Sequence, residues 1–270
     1  MNRQESQIFE SAAQYYARYR HPYPAPIIER IADTFELDGS GRMLDLGCGT
    51  GQLAIPLAPR FDEVIALDPV SEMLVVGREK ALSNGVGNIR WMQGGSDDLS
   101  SMKPVLGQFR LVTIGNAFHW MDRDATLAAL NEFIQPSGGI AILGGSSAGG
   151  VWEAEGGWKG VARSVIQRWA GEQRLAGTNS TYVDPPERHE VMLARSSFNV
   201  FEISYIPFEF TLDLEGVIGL LYSTSYASPS VLGEKRQGFE DDLRASLLEL
   251  DSSGRFADVI DYELMIARRS

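Results

Sequence analysis

Between residues 42 and 145 the chain alternates short, almost unbroken apolar runs with longer mixed stretches. The runs are 43–46, 64–67, 89–92, 111–114 and 140–143, and each predicts a strand. Strands without polar alternation are buried on both faces, and strands separated by helices join through right-handed crossovers. The pattern therefore predicts a doubly wound α/β core with a mostly parallel sheet. Residues 1–37 read as helical, with Phe9, Tyr15, Tyr16 and Tyr19 on a first segment and Pro22, Pro24 and Pro26 breaking it from the next. That segment is expected to act as a lid. The Gly- and Ser-rich stretch 144–150 is expected to be an exit loop after the fifth strand. Beyond it, 151–195 reads as helical and carries Trp152, Trp158 and Trp169, whereas 198–211 has the branched and aromatic content of a strand. Pro207 makes that strand bent or peripheral. Residues 214–250 read as helical again, and 262–267 as a closing strand, which brings the sheet to seven.

Composition narrows the partners. Twenty-four Lys and Arg against thirty-six Asp and Glu leave a net charge of -12, a surface that repels polyphosphate, so no nucleic-acid partner is expected. The single cysteine, Cys48, cannot close an internal disulfide, and Met1 to Glu5 lead into no apolar run of signal-peptide length, which points to a reducing cytoplasm. Nowhere do about eighteen apolar residues follow one another, so no bilayer span and no membrane partner are expected.

The informative segment runs from Leu44 through Gly47, Cys48, Gly49, Thr50 and Gly51 to Gln52: a buried strand, a glycine-rich turn, and the start of a helix. Glycines spaced by two let backbone approach a ligand while amides point outward at the positive end of the helix. A dinucleotide fingerprint wants a third glycine further on, and a triphosphate loop wants Gly-Lys-Ser/Thr; neither is here. Asp68 ends the next strand, where one carboxylate can accept hydrogen bonds from both hydroxyls of a ribose. An adenosine without phosphates fits best. The plainer readings are a tight strand-to-helix connection for the turn and a helix-capping role for Asp68 ahead of Pro69. Cys48 reads as a small structural residue of the turn rather than a nucleophile.

With these residues the sequence resembles the class I S-adenosylmethionine-dependent methyltransferases, more narrowly their small-molecule (type 11-like) branch. The resemblance covers about the first 145 residues. It is carried by Leu44 to Gly51, by Asp68-Pro69 followed by Met73-Leu74, by Gly94 to Leu99, by Asn116 to Trp120, and by Gln135 to Gly139. Tyr16 to Pro24 is similar to the segment that covers the cofactor in this branch. The resemblance implies a Rossmann-like fold and S-adenosyl-L-methionine as cofactor, with S-adenosyl-L-homocysteine as product. It implies an N-terminal lid over 1–37, a cofactor-binding core over 38–145, and over 146–270 a substrate cap plus the last two strands, all in one compact domain. It also implies cofactor contacts from Tyr16, Arg20, Gly47, Cys48, Gly49, Thr50, Gly51 and Gln52. Asp68 would hold the ribose, Pro69 and Met73 would flank the adenine, Ser96 and Asp97 would meet its edge, and Asn116 and Ala117 would border the methionine amino group and the transferred methyl. One departure is Gly95, where many relatives carry an aspartate for the adenine amino group; Asp97 or Asp98 would then take that role.

His119 is the candidate general base, since an incoming oxygen or nitrogen must usually lose a proton and imidazole takes one near neutral pH; the plainer reading makes Phe118-His119-Trp120 a pocket wall. His21 could reach the site from the lid, and His189, in a charged stretch, reads as solvated. Tyr15, Tyr16 and Tyr19 share a helical turn; Tyr16 is the expected contact of the sulfonium cation. Tyr15, Tyr19, His21, Phe118, Trp120, Trp152, Tyr182, Tyr222 and Tyr226 are the expected acceptor-binding set, unless the cap aromatics, Trp158 included, simply form the cap's own core. No Cys/His cluster has metal-ligand spacing, and Asp122 and Asp124 are the only acidic candidates near the fourth strand, so no metal is expected. The expected function is methyl transfer to an oxygen, nitrogen or activated carbon of a small, largely apolar or ring-bearing molecule, plausibly in secondary-metabolite biosynthesis. The alternative is a protein that binds the cofactor without methyl transfer, for regulation or as a scaffold for cyclisation or rearrangement. Oligomeric state is not readable from the chain.

Overall fold

A computed structural model describes residues 11–145, 149–177, 180–183 and 187–270. Phe9 and the middle of the expected exit loop lie outside the described residues. Seven strands form one sheet in the order β3-β2-β1-β4-β5-β7-β6. They are β1 (Arg42–Leu46), β2 (Glu63–Asp68), β3 (Ile89–Gln93), β4 (Phe109–Gly115), β5 (Ile134–Gly144), β6 (Val200–Asp213) and β7 (Arg255–Arg268). β1 to β5 are parallel, β7 runs antiparallel to β5, and β6 antiparallel to β7. The fold is the doubly wound Rossmann-like sheet that the spacing of apolar runs predicts.

Successive residues of the central strands enter opposite core layers, as the two-residue period of a strand requires. On one face Met43, Val64, Ala66, Leu111 and Ala141 meet Ile27 and Ile31, whereas Leu44, Leu46, Ile65, Leu67, Val112 and Ile114 face the other layer with Leu99, Leu106, Leu127 and Leu130. Helices α1 (Ala13–Tyr19), α2 (Ala25–Thr34), α3 (Ala54–Leu57), α4 (Ser71–Ser83), α5 (Leu99–Leu106) and α6 (Arg123–Leu130) precede the fifth strand. β3 departs from the expectation of burial on both faces: as the edge strand it leaves Arg90 and Gln93 exposed.

After β5 come α7 (Gly157–Ala170), α8 (His189–Arg195), α9 (Leu214–Tyr222), α10 (Pro229–Leu232) and α11 (Arg236–Leu250). Residues 151–195 are therefore not one helical stretch. Gly171 takes φ +101° and ends α7, and the chain beyond it is held by a short bridge between Leu175 and Thr181. β6 is the other edge of the sheet, which accommodates Pro207. β7 begins at Arg255, earlier than its apolar run at 262–267; its first half pairs only with β6 and so alternates in polarity. α7, α9 and α11 build a third core from Trp158, Val165, Ile166, Leu220, Leu221, Tyr222, Phe239 and Leu243. Helix α1 lies between this cap and α4: Ala13 packs with Met73 and Val76, while the Tyr19 ring covers Gly219, where an added Cβ would lie 2.3 Å from the ring. None of the described helices is long and apolar enough to cross a membrane.

Candidate functional site

A cavity of about 670 Å³ opens where the carboxyl ends of the parallel strands meet the lid helix and the cap. This is where open α/β sheets place ligands. After β1 the chain must turn sharply into α3, and Gly47 (φ +72°) and Gly49 (φ +53°) supply the left-handed backbone there. Both line the cavity. A Cβ on Gly47 would stand 2.7 Å from the Cβ of Ala117. Gly51 also has a positive φ, yet its missing side chain makes room for the Trp91 ring at 2.6 Å and not for the cavity.

Two buried carboxylates hold this turn. Asp45 accepts from the Thr113 hydroxyl (2.8 Å) and from the Ala54 amide (3.0 Å), tying the start of α3 to β4. Burial pushes its carboxyl up to about 7. Asp68, at the tip of β2, accepts from the Gly49 amide on one oxygen and the Val70 amide on the other, each at 2.9 Å. Burial again dominates and raises it to about 6. Unlike Asp45, Asp68 borders the cavity, and a carboxylate oxygen that accepts one hydrogen bond keeps a second lone pair. A glycine cradle beside an acceptor-only side chain suits a nucleoside with two vicinal hydroxyls. The donor set fits an adenosine cofactor.

Pro69, Met73, Ser96, Asn116, Ala117, Phe118, His119, Trp120, Tyr16, Arg20, Tyr182 and Tyr226, all singled out in the sequence, also line the cavity. Asn116 holds φ +50°, an uncommon backbone for a residue other than glycine, and its amide donates to the Leu143 carbonyl at 2.8 Å. The Arg20 guanidinium lies over Tyr16, and its Nε donates to Ser223 Oγ at 2.8 Å, so the lid is fastened to the turn after α9.

The remaining expected contacts lie elsewhere. Cys48 is buried beside the turn, and burial holds its thiol well above its ordinary range, so it is an apolar filler. Thr50 is buried below the turn, Gln52 lines a separate small void of about 20 Å³, and Asp97 points to solvent while Ser96 faces the cavity. Asp98 caps the Gly95 amide at 2.8 Å. Tyr15 and Tyr19 pack on the cap, Tyr15 edge-on to Tyr222 and hydrogen-bonded by Arg236 at 2.7 Å. Tyr222 and Trp158 belong to the cap's core, where Trp152 also packs. His21 turns from the cavity toward Phe210, with ring centroids 3.9 Å apart, because the chain after α1 runs under the β6–β7 arm.

His189 corrects the expectation of a solvated histidine. It lines the cavity, its ring meets Phe118, and its Nδ1 lies 3.0 Å from Arg123 Nη1. Burial and then Arg123 lower it to about 4. His119 is likewise lowered to about 4, by burial first and then by His189, Arg174, Arg123 and Arg20. Both imidazoles are neutral at physiological pH. Sequence reasoning missed Arg174, Glu187, Arg188, Glu190, Thr224, Ser225 and Glu263, all on the cavity wall. Apart from Glu263, which lies in the expected closing strand, their segments carry no glycine or strand signature; the aromatic spacing that singles out Tyr182 and Tyr226 is the one nearby signal. Among the described residues no group of three or more His, Cys, Asp or Glu is placed to hold a metal ion.

Comparison with known proteins adds to this geometry. Residues 43–138 match the family described as a methyltransferase domain. Over 135 residues the chain is 29% identical to the probable S-adenosylmethionine-dependent methyltransferase CRG1 of Saccharomyces cerevisiae, covering 50% of this chain and 45% of that protein. Over 104 residues it is 36% identical to trans-aconitate 2-methyltransferase of Deinococcus radiodurans, covering 37% of this chain and 36% of the relative. The chain thus spans about half the length, or less, of these curated relatives. In fold it is similar to a methyltransferase from Thiobacillus denitrificans solved with S-adenosyl-L-homocysteine, with a TM-score of 0.51, 12% identity and 99% of each chain covered.

Proposed function

We propose that residues 43–138, which match a methyltransferase-domain family, form the cofactor-binding part of a class I S-adenosylmethionine-dependent methyltransferase, and that this protein transfers a methyl group to a small organic acceptor held under its cap. The observation that carries the reading is one cavity whose wall holds Gly47, Gly49 and Asp68 together with His119, Tyr182 and Tyr226. At about 670 Å³ it falls in the size range of ligand sites, roughly 300–1,000 Å³, and its wall mixes polar and aromatic groups. S-adenosylmethionine supplies a methyl already activated on a sulfonium. The chain's own part is to bind and align.

Asp68 and the Gly47–Gly49 backbone hold the nucleoside, Met73 and Pro69 flank its base, and Ser96 meets the base edge. Asn116 and Ala117 border the reacting end, with Tyr16 presenting an aromatic face to positive charge. His119 offers a neutral imidazole lone pair. With a conjugate acid near 4 it is a weak base, so placement contributes most: roughly 7–11 kcal/mol is available from proximity and orientation. Tyr182, Trp120 and Phe118 wall the acceptor end, which supports a ring-bearing or unsaturated acceptor, plausibly of secondary metabolism. The net charge of -12 and the covered cavity favour a small molecule over nucleic acid or a membrane surface, and the lone buried cysteine supports a cytoplasmic setting.

The test is calorimetric titration with S-adenosyl-L-homocysteine, followed by release of that product from S-adenosyl-L-methionine against a metabolite panel. Micromolar binding with acceptor-dependent release supports the reading. Failure to bind removes it, and binding without release from any acceptor favours a protein that uses the cofactor for regulation or as a scaffold.

A further inference from the structure

The acceptor end of the cavity has an imbalance that the protein alone does not resolve. Arg174 borders it with its guanidinium laid over the Tyr182 ring at 3.9 Å and near the Tyr226 ring at 5.6 Å. Its Nε is buried and has no hydrogen-bond partner among the described residues. Among the described residues the one carboxylate within ion-pair range is Glu153, at 3.8 Å from Nη1 and itself 67% exposed, which is a loose and screened contact. Nearby Arg123, only 7% exposed, donates to the Glu187 carbonyl at 2.7 Å and faces His189, and has no carboxylate partner among the described residues. The acids on the same wall are already engaged: Glu187 with Arg195 at 2.6 Å, Glu190 with Arg188, and Glu263 with the Tyr205 hydroxyl at 3.0 Å. Among the described residues Arg174 therefore faces this space with only a loose counter-charge, in a protein whose net charge is strongly negative.

Arg174 Nε is closed off from the cavity, so the terminal N–H groups of this planar guanidinium, stacked on an aromatic ring, are the ones that can receive a carboxylate with two parallel bonds. Resting on the methyl-transfer reading, we propose that the acceptor is a carboxylate-bearing, planar molecule whose carboxylate is clasped by Arg174 while its body lies along Tyr182, Trp120 and Tyr226. A neutral amide or alcohol of equal shape would leave the guanidinium unsatisfied.

Benzoate, cinnamate and indole-3-acetate are titrated into the full chain saturated with S-adenosyl-L-homocysteine, each beside its primary amide, by calorimetry or through Trp120 fluorescence. At least one acid is expected to bind roughly tenfold or more tightly than its amide, since a hydrogen bond to a charged group contributes about 1.5–3 kcal/mol. Arg174→Gln should erase that difference and leave S-adenosyl-L-homocysteine affinity unchanged, which also shows that the variant is folded. Arg174→Lys, with charge but no fork, should retain part of it. The inference is overturned if no acid outbinds its amide, or if the preference survives Arg174→Gln. Loss of S-adenosyl-L-homocysteine binding in the wild type would instead overturn the parent reading, and the acid–amide comparison, repeated without it, still decides this one.

Discussion

Asp68→Asn separates the cost of a buried charge from its use. In the wild type the carboxylate is 6% exposed and raised from the ordinary Asp range to about 6, which corresponds to about 3 kcal/mol against its ionised form near neutral pH. Asparagine removes that cost. It also replaces one carboxylate oxygen with an NH₂ group that must face the amide of Gly49 or Val70, both donors, at a cost of about 1–3 kcal/mol. The two effects oppose, so the unliganded variant should unfold within about 2 kcal/mol of the wild type. The ligand has no such compensation: two hydroxyl bonds to a charged acceptor are worth about 1.5–3 kcal/mol each, so affinity should fall on the order of a hundredfold or more. Thermal denaturation at pH 7.5 and calorimetry with S-adenosyl-L-homocysteine read the two quantities separately. Binding within about threefold of the wild type, set against the loss of those bonds, would refute the ribose role. Equal affinity per folded molecule with a stability loss beyond about 4 kcal/mol would make Asp68 a clamp of the fold alone.

The same carboxylate gives a pH signature. Its folded pKa is raised, so the acceptor form is complete above about pH 7 and lost as pH falls through 6; S-adenosyl-L-homocysteine affinity should be flat above 7, decline by up to roughly tenfold per pH unit below 6, and lose this dependence in Asp68→Asn. His119, lowered to about 4, stays neutral through the assay range. His119→Asn should slow turnover by roughly ten- to hundredfold without abolishing it, less than the 10²–10⁴ of a full general base, and with cofactor saturating the Asp68→Asn profile of kcat/KM for the acceptor should show no inflection near 6.5. Gly219→Val would drive a methyl group into the Tyr19 ring and displace the lid helix. Its S-adenosyl-L-homocysteine dissociation constant should rise roughly tenfold, a loss of about 1.4 kcal/mol, while circular dichroism of the sheet is preserved.

The doubly wound core was legible because burial on both faces leaves an unmistakable mark: Val64 to Leu67 and Leu111 to Ile114 carry no polar residue except Thr113, which is paired with Asp45. The first half of β7 escaped because one-sided pairing with β6 reads as alternating polarity. In the site, the glycine turn and Asp68 were legible since few backbones need that spacing. Helical spacing of aromatics, by contrast, cannot tell a core from a pocket: Tyr222 and Trp158 became cap core, whereas Tyr182 and Tyr226 reached the cavity. His189 looked solvated among its charged neighbours, yet its partners, Phe118 and Arg123, are distant in sequence and met only through folding. Arg174 lies within the stretch that reads as helical but follows the helix end at Gly171, so the helical pattern misplaced it and nothing local announced it.

The bond from Arg20 to Ser223 bears on kinetics. Arg20 is anchored to the turn whose next members, Thr224 to Tyr226, border the same cavity. Closing that bond over a bound nucleoside favours a compulsory sequence in which the cofactor arrives first and its demethylated form departs last, so that product should inhibit competitively against its precursor and noncompetitively against the acceptor.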